Sequence, residues 1–255
     1  MMWLVKLLIM IAAASMLGVP LIVVAQTSEP IGGLLLRFDN EHDLAAKERL
    51  LLTLTGQDPL AGPVLLRLAE STANSDTRWM AMRGMATLRY TACAQFLESS
   101  LKDSDVFVRA NAARALGDLR IGTAAAALMV MFAAEKEPAA VEQASLALRM
   151  LDIKSAAPFI RQKLPVFTGQ TRSWLVQALG ELGSVDDVPA IAGYLDDMAT
   201  EWAATFALAQ LSGVNFGPHR MNGLSAYPEP ATLAARAWWQ SHKGAWPRCD
   251  DCSRK

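Results

Sequence analysis

A phrase of five residues recurs along this chain: a small residue, then Leu or Met, two variable positions, and Leu. The central residues of its five clear copies are separated by 31, 32, 31 and 29 positions, and a weaker copy lies 34 positions upstream. Self-similarity at such a period is typical of proteins built from stacked repeats. The copies are Gly84–Leu88, Ala115–Leu119, Ala147–Leu151, Ala178–Leu182 and Ala207–Leu211, with the weaker one at Leu50–Leu54.

The phrase has a helical explanation. Relative to Leu116, the residues Ala112, Ala115 and Leu119 lie on one face of a helix with 3.6 residues per turn. A small residue lets neighbouring backbones approach closely, and Leu fills the space between one unit and the next. Ala and Leu dominate the composition, whereas β-branched and aromatic residues are sparse. The sequence therefore predicts an all-α solenoid of about six two-helix repeats, because one unit alone cannot cover its apolar stripe.

The N-terminal segment differs from the rest of the chain. Lys6 is its only charged residue before Glu29, and Leu7–Val24 is an uninterrupted uncharged run. The sequence predicts a signal peptide cleaved after Ala25, with an uncleaved membrane anchor as the alternative. In both cases the body of the protein would lie outside the cytoplasm, either periplasmic or tethered to the membrane. A buried structural helix is the third interpretation.

The remaining chain divides into three segments by composition and pattern. Residues 26–42 are predicted to be a linker, 43–212 the repeat solenoid, and 213–255 a C-terminal cap and tail. The cap is expected to be a helix from Thr232 to Lys243 that places Trp238 or Trp239 on the last unit, because a terminal repeat exposes an apolar side.

Local signals predict how the helices of each unit end and begin. In the third unit, Asp105 to Leu119 should form the first helix and Thr123 to Ala134 the second. Gly122 and Gly183 are expected to end first helices, since Gly readily adopts the left-handed conformation. The hydroxyls of Thr123 and Ser155 are expected to cap second helices.

The pattern of Asp105, Val108, Arg109, Ala112, Ala115, Leu116, Gly117 and Leu119 resembles the first helix of a HEAT repeat. The short period is similar to that of compact bacterial HEAT-like units, including those of phycobilin lyases. The resemblance implies that the Arg pairs with acidic groups of a neighbouring unit. Arg78 and Arg172 occupy the position of Arg109, but Val141 and Glu201 replace it in two units, so a ladder of these arginines should be interrupted.

Charge and motif content narrow the function classes. The net charge is −1, from 24 basic and 25 acidic residues, which disfavours nucleic acid as a ligand. No catalytic motif, cofactor fingerprint or metal-binding spacing is present, so no catalytic residue, cofactor or metal is predicted. His42, His219 and His242 are far apart in sequence and are expected to be solvated or locally hydrogen-bonded.

The cysteines have mainly structural interpretations. Cys249 and Cys252 form a CxxC pair that would close a small disulfide in an exported protein. A metal half-site and a redox pair are the alternatives, although two intervening Asp residues disfavour a thiolate. Cys93 is expected to be a small buried hydrophobe.

The leading functional prediction is a non-catalytic, monomeric scaffold that binds a protein partner through the face lined by the second helices. That face spans Pro63–Glu70, Thr91–Lys102, Thr123–Ala134, Ser155–Leu164 and Asp186–Asp197. Its mixed charges imply no single class of partner. The candidate binding residues are Arg67, Glu98, Lys102, Arg161 and Lys163, together with Trp79 and Trp174 as aromatic anchors.

Two other functions stay open at this point. The resemblance to phycobilin lyases implies a lyase-like protein that attaches or handles a bilin or a similar cofactor. A membrane-tethered spacer, held by residues 1–25, is the third hypothesis.

Overall fold

The computed structural model describes residues 30–57, 61–217, 229–244 and 246. Within these ranges the chain is helical and contains no strand. The α-helices are α1 Ile31–Asn40, α2 Leu44–Gln57, α3 Ala61–Ser71, α4 Ser75–Thr87, α5 Ala94–Ser100, α6 Val106–Asp118, α7 Ala125–Ala134, α8 Pro138–Met150, α9 Ala157–Lys163, α10 Gly169–Leu182, α11 Val188–Ala192, α12 Glu201–Ser212 and α13 Pro230–His242.

The helices alternate as the repeated phrase predicts. The five clear copies begin in α4, α6, α8, α10 and α12, which are called the first helices. The second helices are α3, α5, α7, α9 and α11, and the last four follow short 3₁₀ turns. Of the second helices, each first helix packs mainly against the one that precedes it, and consecutive first helices also pack against each other. The predicted all-α stack of two-helix units is thereby confirmed for the described residues.

The first helices touch each other at the backbone. A Cβ atom on Gly117 would lie 2.8 Å from the Cα of Ala147, and one on Gly180 would lie 2.6 Å from the Cα of Ala207. Both contacts join consecutive first helices, α6 to α8 and α10 to α12. These glycines are therefore required by the close approach of two backbones rather than by a special dihedral angle.

The second helices stand further apart. A cleft of about 860 Å³ separates α3 from the segment around α5, and another of about 540 Å³ separates α5 from α7. The backbone contacts between first helices favour a stack that curves toward them, and the side of the first helices is called the inner side here.

Cationic side chains connect the ends of consecutive second helices. Arg109 donates to the carbonyl oxygens of Asp103 and Ser104, at 2.8 and 3.0 Å, just beyond the end of α5. The same guanidinium forms an ion pair with Glu135 at 2.7 Å, just beyond the end of α7. Arg78 and Arg172 make the equivalent contacts in their own units, and these contacts are called rungs here.

The units that lack this Arg receive their cation from elsewhere. Where Val141 stands at the position, Lys163 of α9 donates to the carbonyl oxygens of Ala133 and Glu135, at 3.3 and 2.7 Å. Where Glu201 stands there, Arg236 of α13 donates to Leu195 O at 2.7 Å and pairs with Glu201 at 3.1 Å. The arginine ladder is interrupted as expected, yet a rung is present in both units.

The inter-helix turns differ from the prediction. In the turns after α4, α6 and α8 the left-handed residues are Arg89, Arg120 and Asp152, with φ of 54°, 57° and 54°, whereas Gly122 begins a 3₁₀ turn. At Arg120, the N–H of Ile121 bonds Leu116 O and the N–H of Arg120 bonds Gly117 O, both at 3.0 Å. This pair of bonds defines a Schellman motif, which places the left-handed residue directly after the C-cap.

Three further local predictions are wrong. Thr123 and Ser155 lie inside 3₁₀ turns and cap no helix, because the N-cap positions there are Ile121 and Ile153. Gly183 has φ −80° and ψ −164°, so it ends α10 in an extended conformation. Glycine is needed there for space, since a Cβ would lie 2.6 Å from a carboxylate oxygen of Asp187.

Helices cover both ends of the described stack. Residues 31–40, which the sequence assigned to a linker, form α1 with Leu34 and Phe38 buried. The fully buried Lys47 of α2 donates to Glu41 O at 3.0 Å, which repeats the geometry of a rung at the end of α1. At the other end, α13 packs on α12 and places Thr232 3.2 Å from Thr205. Helix α1 therefore occupies the place of a preceding second helix.

The aromatic residues of the C-terminal cap cluster on one another. Trp238 packs edge-to-face with Phe216 at 5.6 Å and stacks on His242 at 4.9 Å. Trp246 donates its indole N–H to Val185 O at 3.2 Å. Trp238 and Trp239 are both half-buried against the core, in agreement with the predicted cap.

Several sequence predictions fall outside the described residues. The N-terminal segment 1–25, His219, Cys249 and Cys252 all belong to this group. Among the residues that the structure does describe, no helix has the length and apolarity needed to cross a bilayer.

Candidate protein-binding groove

A groove of about 750 Å³ runs across the exposed side of three first helices, α4, α6 and α8. It lies on the inner side of the stack, opposite the second helices. Here it is called the groove, and its lining residues are Trp79, Arg83, Ala86, Thr87, Arg89, Phe107, Ala110, Asn111, Arg114, Ala115, Asp118, Arg120, Ala139, Glu142, Gln143 and Met150.

Four arginines line the groove. Arg83 pairs with Glu48 and Arg114 pairs with Asp118, each at 2.9 Å, and all four side chains are substantially exposed. Arg89 donates to Asp118 O at 2.7 Å, which joins the turn after α4 to the end of α6. The side chain of Arg120 makes no hydrogen bond or ion pair with any residue that the structure describes. The groove therefore contains guanidinium donors that the protein itself leaves available.

The turn geometry explains where two of these arginines lie. Arg89 and Arg120 are the left-handed residues of successive Schellman motifs, so each stands at the C-terminal end of a first helix. A left-handed residue other than Gly is uncommon, and the motif directs its side chain away from the helix that has just ended. Both arginines are exposed at the rim of the groove.

Two aromatic residues supply apolar surface. Phe107 of α6 is 56% exposed, which is unusual for so large an apolar side chain on an inner face. Trp79 of α4 is half-buried and donates its indole N–H to Asp76 at 3.0 Å. The guanidinium of Arg83 lies over its ring at 5.9 Å from the centroid. Trp79 is thus held in one orientation beside the groove, whereas Phe107 presents its side chain to solvent.

Most of the sequence-predicted binding residues lie on the outer side. Arg67 is exposed on α3, and Glu98 and Lys102 border the 540 Å³ cleft between α5 and α7. Arg161 pairs with the fully buried carboxylate of Asp187, which gives it a structural role. Trp174 is half-buried on α10 and does not line the groove. Of the predicted set, only Trp79 belongs to the groove.

Lys163 also has a structural role. Its ammonium group lies 5.3 Å from the centroid of Phe132 and 5.9 Å from that of Phe167 while it forms its rung. Burial lowers the pKa of Lys163, although the nearby carboxylate of Glu135 acts in the opposite direction. A lysine enclosed in this way is poorly placed to contact a partner.

The sequence analysis missed Phe107 and the four arginines. Phe107 lies nine positions before Leu116, off the apolar stripe, and an apolar residue at such a place signals a contact surface. Nothing in the sequence pattern placed the four arginines on a common surface. The position of Arg120 depends on its left-handed conformation, which was predicted for Gly122 instead.

The described residues offer little for covalent or metal chemistry. They contain no group of three or more His, Cys, Asp and Glu residues that could hold a metal ion. Cys93 is buried with its thiol 2.8 Å from Tyr90 O, and burial raises the pKa of that thiol to about 11. It is therefore a poor nucleophile near neutral pH.

Solved structures that are similar to this chain have low sequence identity to it. Among solved structures, one likeness is the crystal structure of an engineered protein, with 14% identity, a TM-score of 0.48, and coverage of 71% of this chain and 95% of that one. Another is the complex of CpcE and CpcF of phycocyanin lyase from Nostoc sp. PCC7120, with 17% identity, a TM-score of 0.43, and coverage of 85% and 97%. No curated protein matches the sequence significantly.

The family comparison covers the part of the chain that forms the groove. Residues 62–149 match the family model for HEAT repeats, and this range runs from α3 to the end of α8. The period of the repeated phrase and the pairing of Arg109 with Glu135 agree with that assignment. Over residues 62–149 the chain is therefore similar to HEAT repeat proteins.

Proposed function

We propose that this protein is a non-catalytic scaffold that binds a protein partner in the groove on the inner side of its first helices. The observation that carries the proposal is Phe107, which is 56% exposed within a concave surface and has Trp79 nearby as a second wall. Aromatic anchors that become desolvated in a pocket supply much of the energy of protein interfaces. Arginine, which also lines this groove, is enriched at such sites as well.

The inner face is the better candidate than the outer one. On the outer side, Arg109, Arg161 and Lys163 are engaged in contacts that hold the units together. A partner that competed for them would have to break those contacts first. The groove residues Phe107 and Arg120 make no comparable structural contacts, so binding there leaves the stack intact.

We also propose that binding takes place outside the cytoplasm. The support is the uncharged run Leu7–Val24 and the small residues that end at Ala25. The intact mass of the protein purified from its native cells tests cleavage after Ala25. Cell fractionation tests tethering, which would place the full-length chain in the membrane fraction.

Two matched glutamines test the location of the binding surface. Gln143 lies in the groove on α8, and Gln162 is exposed on α9 on the outer side. A photo-crosslinking amino acid introduced at either position in intact cells would capture whatever protein lies against it. We expect one dominant product from the Gln143 position and none from the Gln162 position.

Phe107→Ala serves as the second arm of this experiment. Because Phe107 is exposed, its truncation should leave the free energy of unfolding nearly unchanged. It should, however, reduce the yield of the product crosslinked at Gln143 strongly, since hot-spot truncations cost at least about 2 kcal/mol of binding energy. If a crosslinked product were obtained only from the Gln162 position, the binding site would lie on the outer face and the proposal would be refuted.

The bilin-handling alternative stays a prediction from the sequence resemblance. Co-expression of the full chain with a bilin tests it directly, because a coloured adduct would require a function beyond scaffolding.

A further inference from the structure

We infer that the segment bound in the groove is an acidic stretch of a protein partner that carries an exposed apolar side chain. This inference rests on the proposed function, and it specifies the chemistry of the partner. It derives from the charges that line the groove, from their incomplete pairing, and from the apolar surface between them.

The groove is locally basic in a chain that is nearly neutral. Its lining contains four arginines but only two acidic residues, Asp118 and Glu142, whereas the whole chain has a net charge of −1. The two outer clefts are balanced, since each is lined by two basic and two acidic residues. Of these three cavities, the groove is therefore the one whose lining has more basic than acidic residues.

The pairing within the groove leaves donors unused. A guanidinium group has five N–H donors. The guanidinium of Arg89 uses one donor in its bond to Asp118 O, and that of Arg120 uses none with the part of the chain described. Arg114 forms an exposed ion pair with the carboxylate of Asp118. Because exposed ion pairs contribute little free energy, a carboxylate of the partner can replace Asp118 in this pair. The free donors lie at the rim, where they meet an approaching chain first.

Both acidic residues of the groove already have a hydrogen-bond or ion-pair partner within the protein. Glu142 accepts a hydrogen bond from the hydroxyl of Thr171 at 2.6 Å, and Asp118 pairs with Arg114. Arg83 pairs with Glu48, so Arg89 and Arg120 are the two groove arginines without a carboxylate partner among the described residues. A basic partner would thus find few free carboxylates and two uncompensated arginines. An acidic partner finds guanidinium groups that can form bidentate contacts with carboxylates.

The apolar surface argues for a peptide rather than another polyanion. Phe107 lies in the first turn of α6, whereas Arg120 follows the C-terminal end of that helix, about 20 Å away along its axis. Met150 forms part of the far wall. A partner segment that spans this length would pack an apolar side chain on Phe107 and place Asp or Glu residues beside the arginines. A membrane surface is flat on this scale and would not enter a groove between helices.

Selection of short random peptides on the full-length protein tests the inference. We expect the selected peptides to be net negative and to contain an aromatic or aliphatic residue. Their affinity for Arg120→Glu should be lower by about tenfold or more, because that change replaces an unpaired donor with a like charge. Arg67→Glu is the matched control, since Arg67 is exposed on α3 outside the groove, and it should leave the affinity unchanged. Raising NaCl from about 0.05 to about 0.5 M should weaken the binding.

Several outcomes would overturn the inference. Selected peptides that are neutral or basic, or that bind Arg120→Glu as tightly as the parent protein, contradict it. A single-stranded oligonucleotide or anionic phosphatidylserine vesicles that bind more tightly than the peptides, with the same dependence on Arg120, would reassign the site to that ligand. If Gln143 captures a partner whose crosslinked segment is not acidic, the proposed function stands and this inference alone fails.

Discussion

The two rows of helices in this protein are held together by different physical means. On the inner side, Gly117 and Gly180 bring consecutive first helices into backbone contact with no side chain between them. On the outer side, consecutive second helices are spaced apart and are connected by rungs such as that of Arg109. The comparison shows that spacing is set by steric contact on one side and by charged hydrogen bonds on the other, which together produce the curvature.

The strongest way to break this comparison is to remove a rung and leave its buried carboxylate in place. Arg109→Met removes the partner of Glu135, whose side chain is almost fully buried, and also two bonds to carbonyl oxygens. We expect a loss of about 3 kcal/mol in the free energy of unfolding, measured by urea denaturation, because a buried charge loses its counter-ion.

Two variants check that interpretation. The double variant Arg109→Met with Glu135→Met should recover part of the loss, since no unpaired charge remains. Arg114→Met removes an exposed pair with Asp118 and should cost less than about 0.5 kcal/mol. Equal losses in Arg109→Met and Arg114→Met would contradict the structural role assigned to the rungs.

A methyl group tests the inner row. Gly180→Ala would place a Cβ 2.6 Å from the Cα of Ala207, so α10 and α12 must separate. We expect a net loss of about 2 kcal/mol in the free energy of unfolding, even though Ala favours the helix. Gly56→Ala in α2 is the control, because nothing lies within 4 Å of its added Cβ, and this variant should be stabilised by up to about 1 kcal/mol.

A smaller effect distinguishes the substituted rungs from the arginine rungs. Lys163→Met keeps the apolar stem over Phe132 but removes the bonds to Ala133 O and Glu135 O. The expected loss is about 1 kcal/mol, because relief of the buried ammonium group offsets part of the lost hydrogen bonding. Lys136→Met, at an exposed site in the next turn, should leave thermal unfolding unchanged. A loss as large as that of Arg109→Met would mean that the two kinds of rung are equivalent.

The smallest expected effect is a pH dependence of opposite sign in two rungs. Burial alone would raise the pKa of Glu135, but hydrogen bonds from Arg109 and from the backbone N–H groups of Glu137 and Lys136 hold it below 4.5. Its contribution to stability is present above pH 4.5 and is lost as the pH falls through the lowered pKa.

Glu201 should behave in the other direction. Burial raises its pKa above 4.5, Arg236 opposes the shift, and Glu229 and Asp196 reinforce it. The folded state therefore gains stability from protonated Glu201 below pH 4.5 and loses it as the pH rises through the raised pKa. Urea denaturation across this range compares the free energy of unfolding of each variant with that of the parent protein. Glu201→Gln should become more stable relative to the parent protein as the pH rises. Glu135→Gln should be less stable than the parent protein above pH 4.5, and this difference should shrink as the pH falls. Parallel profiles would refute the assignment.

Much of the architecture was readable from the sequence. The spacing of Leu116 and its counterparts identified the first helices and their partners, because that phrase is itself the contact between units. The cap helix was predicted from the need to cover α12. Helix α1 was missed because its Gly32-Gly33 pair indicated a linker, although Leu34 and Phe38 lie on one buried face.

The binding surface was harder to predict for a physical reason. The direction of curvature depends on whether two backbones touch, and that depends on pairs such as Gly180 with Ala207, which are distant in sequence. The small residues of the first helices indicated close approach, but the sequence analysis did not extend this to the curvature. Arg120 lies at the groove because it adopts a left-handed conformation, which conformational propensity would predict for Gly rather than for Arg.

The rungs end on main-chain oxygen atoms, and this has a consequence for how such a chain can change over time. Every residue type provides a carbonyl group, so the receiving end of each rung survives any substitution that keeps the backbone path. Only the donor must be supplied, and Arg78, Lys163 and Arg236 supply it from three different helices. A unit could be duplicated or exchanged while the carbonyl end of each rung is kept, but the loss of an arginine such as Arg109 would also require a change of its carboxylate partner Glu135.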